Sequence, residues 1–437
     1  MFDKKKIDSL LLKNGMHPDC VDLDAEIEKF KDEMTAGLEK KNGSSILMLP
    51  TYIDADGDIP KNQSAVVIDA GGTNLRVALV HFDGKGVPNT EYFENYPMPG
   101  STAPVTKDEM FDAIAKYTAP IVANCDKIGF CFSYVFESTP SRDGMVEALC
   151  KEVEVIGING IMACQELEAA YLRRGLEGSR SYVMLNDTVA TLLGAKAVHG
   201  NENCDSYVGF ILGTGKNACY VEYTDKIKKL NAGDYSANTM IINMESGVYT
   251  GFEQGSVDKE LDSKSQYPGD HIFEKMTSGG YFGDLIYGTL ELLCKNGMFS
   301  DAFGFELAKL NTIDLREITG YIVKREPENN LYEKIAAQND DDRAALDLVL
   351  DRLYERAAKM ITVMFCAVAE EADYGRTAAS PLRICAEGTT YYKSPLLLKY
   401  IDQLQKDYLA GKRGRYIQMV KAANVTLIGT ALAALIN

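Results

Sequence analysis

Three short segments place polar or acidic side chains beside backbone that can come close to a ligand. In IDAGGTNLR, Gly71 and Gly72 offer bare backbone that can approach a phosphate, and Thr73 and Asn74 add neutral hydrogen-bonding groups. Asp69, just before the turn, is a carboxylate of the kind that holds a hydrated Mg2+, and Arg76 adds a charge nearby. A plain hairpin turn has the same composition, so this segment alone leaves both readings open. GTGKN, residues 213–217, is a second glycine-threonine turn. Its lysine invites a Walker A reading, but Gly209 and Gly215 enclose five residues where that motif needs four, and Asn217 stands where Ser or Thr must follow Lys216. A P-loop fold is therefore excluded. The third segment is LNDTV, in which Asp187 sits between the apolar run SYVML and a helix-like stretch. Strand-to-helix junctions are where α/β sheets present polar function. Asp187 could take a proton there, or it could be a helix N-cap without chemistry. Position alone does not separate the two. Asp54, Asp56 and Asp58 have the alternate spacing of a calcium loop, but Ile59 and Ala65 occupy the places that need glycine and glutamate. That loop is expected to be a solvated turn.

The elements that must carry these residues can be read from periodicity. AVVID (65–69) and LRVALVHF (75–82) read as strands around the first turn, and YVGFIL (207–212) and ACYVEY (218–223) repeat the arrangement around the second. Two such copies point to a duplicated α/β core. KIGFCFSYVF (127–136) and SYVML (181–185) read as further strands. Thr106 and Glu109 form a capping-box pattern for a helix running toward Cys125. Helices are also expected over 24–41, with Ile27, Phe30, Met34 and Leu38 on one face, and over 159–174 and 341–372. Ser394-Pro395 opens another, and VTLIGTALAALI closes the chain as an apolar helix packed on a sheet.

Bulk properties narrow the field. At 437 residues the chain is too long for one core, so two domains are expected. A net charge of -17 argues against a nucleic-acid partner, which needs a basic face. No stretch approaches the roughly 18 apolar residues of a membrane span, and the opening apolar run of three residues is too short for a signal-peptide core. The ten cysteines are scattered singly with no CxxC spacing, which disfavours zinc. Reduced thiols in a cytoplasmic protein are the expectation.

Taken in order along the chain, these segments resemble the hexokinase family of the eukaryotic type, which includes glucokinases. IDAGGTNLRVALV resembles its first phosphate motif, IGFCFSYVF its sugar loop, LNDTVATLL the junction holding its catalytic Asp, and VGFILGTGKNACYVE its second phosphate segment. MIINMESGVY and FEKMTSGGYFGDL resemble the two segments that each supply a sugar-binding glutamate. The resemblance runs from about Phe30 to the C-terminus. It implies a duplicated ribonuclease-H-like core of the actin and sugar-kinase superfold, in two domains with the active site in the cleft between them. The small domain would be 64–185 plus about 420–437, and the large domain 1–63 plus 186–419.

The implied activity is transfer of the terminal phosphoryl group of ATP, with Mg2+, to the 6-hydroxyl of a hexose, glucose first. Asp187 corresponds to the base, with Lys151 as a second catalytic group. Ser133, Lys151, Asn186, Asp187, Asn217, Glu245 and Glu274 correspond to sugar contacts. Asp69, Gly71, Gly72, Thr73, Asn74, Gly213, Thr214, Gly388 and Thr389 correspond to nucleotide contacts, with Asp69 holding the metal through water. A pocket of Asn, Glu, Lys and Ser suits a ring of hydroxyls that both donate and accept. The chain departs from the family at five places. Cys150 replaces Thr before Lys151, Tyr134-Val135 replaces Phe-Pro after Ser133, Ser246 replaces the Trp after Glu245, and Glu387 replaces Asp before Gly388. The glycine-rich adenosine segment near the C-terminus becomes ANVTLIGTALAAL, where Val425, Leu427 and Ile428 could crowd the nucleotide and admit another phosphoryl donor. The alternatives are a sugar-binding regulatory protein on the same scaffold, and an actin- or chaperone-like ATPase, which gives no reason for the Asn217, Glu245 and Glu274 set.

Overall fold

A computed structural model of the chain describes residues 2–149, 153–310, 312–324, 336 and 339–437. Its organising feature is a pair of sheets with the same topology. The first has the order β10-β6-β2-β3-β4, where β2 is Gln63–Ala70, β3 Asn74–Phe82, β4 Pro88–Pro97, β6 Lys127–Phe132 and β10 Ser181–Leu185. The second has the order β15-β14-β11-β12-β13-β1, where β11 is Ser206–Leu212, β12 Lys216–Tyr223, β13 Thr239–Asn243, β14 Leu382–Glu387, β15 Ile417–Val420 and β1 the short edge Leu49–Pro50. In each, three antiparallel strands in chain order are extended by two parallel ones. This is the duplicated α/β core to which the paired glycine-threonine turns point, with the ribonuclease-H-like order that the family resemblance implies. Two small ribbons, β5 (Val105–Thr106) with β9 (Val155–Ile156) and β7 (Val135–Ser138) with β8 (Gly144–Ala148), complete the strands.

Parallel strands need cover on both faces, which is why β2 and β6 read as unbroken apolar runs. Helices Lys107–Val122 and Ala163–Arg173 line the outer side of the first sheet, in one core with Val66, Ile68 and Phe130. The long helix Asp340–Glu371 lies against the second, where Phe210 of β11 meets Phe365 edge-on at 5.1 Å. Between the sheets run two more helices, Asp187–His199 and Val425–Ile436. Each is the last helix of its repeat, and each packs on the other repeat's sheet: Asp187–His199 on β11, β12 and β14, and Val425–Ile436 on β2, β6 and β10.

The two central helices touch through glycines. A Cβ on Gly429 would lie 1.8 Å from the Ala190 carbonyl oxygen, and one on Gly194 would lie 2.1 Å from that of Val425. Both obstacles are backbone, so a methyl group must push the helices apart. Gly429→Ala is therefore expected to cost about 1–3 kcal/mol of stability, read as a lowered urea midpoint. Val425, Leu427 and Ile428 are buried in this same layer.

Three local readings change. The run 127–136 is not one strand. It breaks after Phe132, because the Ser133 amide donates to the Ala70 carbonyl at 3.1 Å and the Tyr134 ring turns inward beside Phe132. The helix expected over 159–174 starts at Ala163, where the Asp143 carboxylate accepts the amides of Cys164 (2.8 Å) and Gln165 (3.2 Å). That cap comes from twenty residues away and leaves no local sequence signal. The aspartate loop is pinned rather than solvated: Thr239 Oγ1 donates to Asp54 (3.1 Å) and Asp56 (2.8 Å), and Lys196 Nζ donates to the carbonyls of Ala55 and Gly57.

Candidate functional site

β10 delivers Asn186 and Asp187 to the start of a central helix. Asn186 is the N-cap: its Oδ1 accepts the Thr188 amide at 2.9 Å. Asp187 occupies the first helical position, so its carboxylate is spared that duty. Thr188 Oγ1 donates to it at 3.2 Å, and the Ser133 hydroxyl bonds it from the first sheet. Burial pushes the Asp187 pKa above the usual carboxylate value, the nearby Asp69 carboxylate adds to the rise, and the Ser133 and Thr188 bonds oppose it. A carboxylate with a raised pKa is a better proton acceptor than an ordinary one.

Asp69 is the penultimate residue of β2 and is almost fully buried. It sits opposite Arg76 in the β2–β3 register, and the two form an ion pair. Thr426 Oγ1 stands between them, 3.5 Å from Asp69 Oδ2 and 3.4 Å from Arg76 Nη2. Burial raises the Asp69 pKa and the Arg76 charge opposes it. Arg76 also acts electrostatically on Glu387 at the end of β14, so its charge lies between the two sheets. The Gly71 carbonyl accepts from Tyr134 Oη at 2.8 Å, tying the residue after Ser133 to the first glycine turn.

The second sheet supplies a polar cluster. Asn217, at the start of β12, donates to Asn243 Oδ1 (2.8 Å) and Glu245 Oε1 (3.0 Å). Asn243 Nδ2 donates to the same Glu245 oxygen at 2.7 Å. Glu245 has a left-handed backbone, φ 49°, which turns the chain sharply after β13. Glu274, on the short helix Ile272–Thr277, accepts the Lys216 amide at 2.9 Å. Burial lifts the Glu245 pKa to about 6, with Asp187 and Glu274 adding repulsion and Asn243 opposing. Burial lifts Glu274 as well, against the Lys216 amide and the His271 charge.

Around the second glycine turn, three segments meet through backbone. The Gly213 carbonyl accepts from Thr390 Oγ1 (2.9 Å) and the Gly279 amide (2.8 Å), and the Gly280 amide donates to the Thr214 carbonyl (3.0 Å). A Cβ on Gly388 would strike the Leu212 carbonyl oxygen at 2.2 Å. Beside Thr389 opens a groove of about 440 Å³ lined by Leu315, Arg316, Thr319, Val323, Thr390 and Lys393. A larger cavity of about 570 Å³ lies between the helices Ser256–Lys264 and Gly279–Lys295, and Asp187, Glu245 and Glu274 do not line it.

The structure thus links Ser133, Asn186, Asp187 and Asp69 on one side with Asn217, Glu245 and Glu274 on the other through direct bonds and electrostatic contact. Thr73, Asn74, Thr214 and Thr389 are exposed at turn ends, and Gly71, Gly72, Gly213 and Gly388 are partly so. Lys151 and Cys150 lie outside the described residues. Sequence reasoning missed Asn243, Lys216, Tyr134 and the Arg316 groove. Asn243 carried a signal, a polar residue closing the all-apolar strand TMIIN; the groove carried none, since its two walls are distant in sequence.

Two repeats of a ribonuclease-H-like sheet, with an acidic, amide-rich cluster where they face each other, define the two-lobed sugar-kinase class of fold. Within that class the chain belongs to the hexokinase family: family models described as Hexokinase match residues 12–197 and 207–436. Hexokinase-like 1 protein of Arabidopsis thaliana is 31% identical over 438 residues, covering 93% of this chain and 86% of that protein. Hexokinase-2, chloroplastic, of Nicotiana tabacum is 29% identical over 433 residues, covering 93% and 85%. A solved hexokinase from Schistosoma mansoni, complexed with glucose, shares the fold at a TM-score of 0.73 and 21% identity over 99% of each chain. Among the described residues, no helix is long and apolar enough to cross a membrane, and the nine cysteines described are free thiols.

Proposed function

We propose that the protein phosphorylates the 6-hydroxyl of a hexose, glucose first, with ATP as donor. The observation that carries this reading is the division of labour at the strand-helix junction: Asn186 caps the helix, and Asp187 is left facing Ser133 with a raised pKa. Asp187 takes the proton of the 6-hydroxyl as its oxygen attacks the terminal phosphorus. Asn217, Glu245 and Glu274, with Ser133, Asn186 and Lys151, hold the ring hydroxyls. Glycines 71, 72, 213 and 388 let backbone approach the phosphates, and Thr73, Asn74, Thr214 and Thr389 add donors. Mg2+, where Asp69 holds it through water, supplies charge neutralisation on the phosphates. The buried Asp69 carboxylate, whose Arg76 partner is partly exposed, fits a hydrated cation. The groove beside Thr389 suits the adenosine, and the burial of Val425, Leu427 and Ile428 in the core removes them from that face. The small lobe, 64–185 plus about 420–437, closes on the large lobe, 1–63 plus 186–419, to exclude water from the reaction.

The direct test is a coupled assay of ADP formation across a panel of hexoses and phosphoryl donors. ADP that appears only with sugar supports the proposal. Saturable sugar binding without ADP would instead favour a sugar-binding regulatory protein on the same scaffold.

The pKa of Glu245 gives a second expected outcome. An ionised carboxylate accepts more strongly from sugar hydroxyls than a protonated one, so glucose affinity is highest above about pH 6 and falls as pH drops through it. Because the folded value lies above the usual one, ionising Glu245 disfavours the sugar-free fold above that pH, and a bound hydroxyl offsets the cost. Glu245→Gln should weaken binding about tenfold or more near neutral pH and flatten this acid limb. Calorimetry over a pH series checks it.

A further inference from the structure

Among the described residues, Lys216 and Lys275 are both only 3% exposed, yet they are treated very differently. Lys275 Nζ pairs with Asp262 at 2.6 Å. Lys216 has no carboxylate within 4.0 Å of its amine among the described residues. Its Nζ lies 3.4 Å from the centroid of the Phe273 ring, 3.1 Å from Ser246 Oγ and 3.4 Å from Met364 Sδ. Burying a cation against neutral groups is costly unless a specific geometry compensates, and an aromatic face is one such partner.

The neighbours of this amine are not scattered. Ser246 directly follows Glu245, and Phe273 directly precedes Glu274. The Lys216 amide itself donates to Glu274 Oε2 (2.9 Å), and the next residue, Asn217, donates to Glu245 Oε1 (3.0 Å). Ser246 closes the loop, its amide donating to Asn217 Oδ1 at 3.2 Å. One residue therefore grips both segments that carry the sugar-side carboxylates, by its backbone and by its amine.

We propose that Lys216 is a positioning residue for sugar recognition, its buried ammonium holding the Glu245 and Glu274 segments in register and keeping Glu274 an ionised acceptor. The inference rests on the hexose reading. It gives the amine a reason to be buried without a carboxylate beside it: a close partner would quench the charge that Glu274 feels. Burial pulls the Lys216 pKa well below its usual value and Glu274 pulls it back up, while the Lys216 charge in turn holds Glu274 down. The two groups thus share a charge state. Sugar affinity then has an acid limb, where the carboxylates gain protons, and an alkaline limb, where Lys216 loses one. The other charged or titratable groups facing the pair are His271, Lys275, Tyr281 and Glu245. All are unchanged in the variants below, so a change confined to a variant reports on Lys216.

The test is calorimetric glucose titration of the full chain over about pH 5 to 10, a span that brackets both limbs. Lys216→Met is compared with wild type because methionine keeps the length and packs against Met364 and Phe273. The expected result is binding about tenfold weaker near neutral pH, the factor carried by one unit of coupled pKa. The alkaline limb is absent, and the KM for glucose rises while that for ATP is unmoved. Ser246→Ala removes the hydroxyl that accepts from the amine, and should keep the alkaline limb but move it to lower pH. A Lys216→Met protein that retains wild-type affinity, or its alkaline limb, overturns the proposal. If that variant does not fold, an unmoved limb in Ser246→Ala overturns it. Wild type that binds glucose without an alkaline limb defeats this inference alone; wild type that binds no sugar at any pH defeats the hexose reading beneath it.

Discussion

Asp187→Ala is expected to lower sugar-dependent ADP formation by ~10²–10⁴-fold, the range typical of a lost general base. Glucose affinity should stay within about an order of magnitude, because in the proposed site Asn217, Glu245 and Glu274, which bond one another's segments without Asp187, are the ring contacts. The helix itself should survive, since Asn186 caps it. The folded protein should even gain a little stability. Asp187 and Asp69 raise the energy of each other's charge, and removing one relieves the repulsion. A fall in melting temperature together with the fall in rate would point to a structural role instead. Asp187→Asn is the sharper control, because it keeps a similar shape and the contacts with Thr188 and Ser133 but cannot carry the proton away. Turnover near wild type in both variants would mean that another group is the base.

The second large effect is expected at the donor end. Asp69→Asn should reduce turnover ~10²-fold or more, since charge neutralisation on a transferring phosphoryl group amounts to several kcal/mol. Glucose binding should be unchanged, and the Mg2+ concentration for half-maximal rate should rise. Arg76 would lose its partner, but its side chain is 39% exposed, so solvent can take the freed guanidinium. The fold should therefore tolerate the change. An unaltered Mg2+ requirement would remove Asp69 from the metal assignment, and a matching loss of glucose affinity would place its role on the sugar side.

Much of this architecture was legible because local signals agreed with the global fold. The paired turns at Gly71–Gly72 and Gly213–Gly215 sit between apolar strands in both repeats, and the sheets form around them in the same order. The capping box at Thr106 and Glu109 forms as read. Asp187 shows the limit of such reasoning. Its neighbours made it either a cap or a base, and only the hydrogen bond of Asn186 assigned the cap. Lys216 was harder still. Its one reading from sequence is the Walker A lysine, which the spacing excludes, and its actual neighbours come from segments far along the chain. The C-terminal departures misled in a third way. Val425, Leu427 and Ile428 read as crowding a nucleotide, whereas they are buried between the sheets, where the missing side chain of Gly429 is required by Ala190 of the other central helix. The helix started by Asp143 and the groove beside Thr389 rest on the same kind of distant contact, which a single sequence does not display.

The exchange of final helices between the repeats also sets an order of events during synthesis. β2 and β6 leave the ribosome early, but the helix that covers their inner face, Val425–Ile436, follows every other described element. For most of translation the first sheet must keep Val67, Ala78 and Val183 uncovered, or borrow cover from a chaperone. The nascent protein therefore exposes this apolar face until Val425–Ile436 emerges, and the folding of its first repeat waits on that helix.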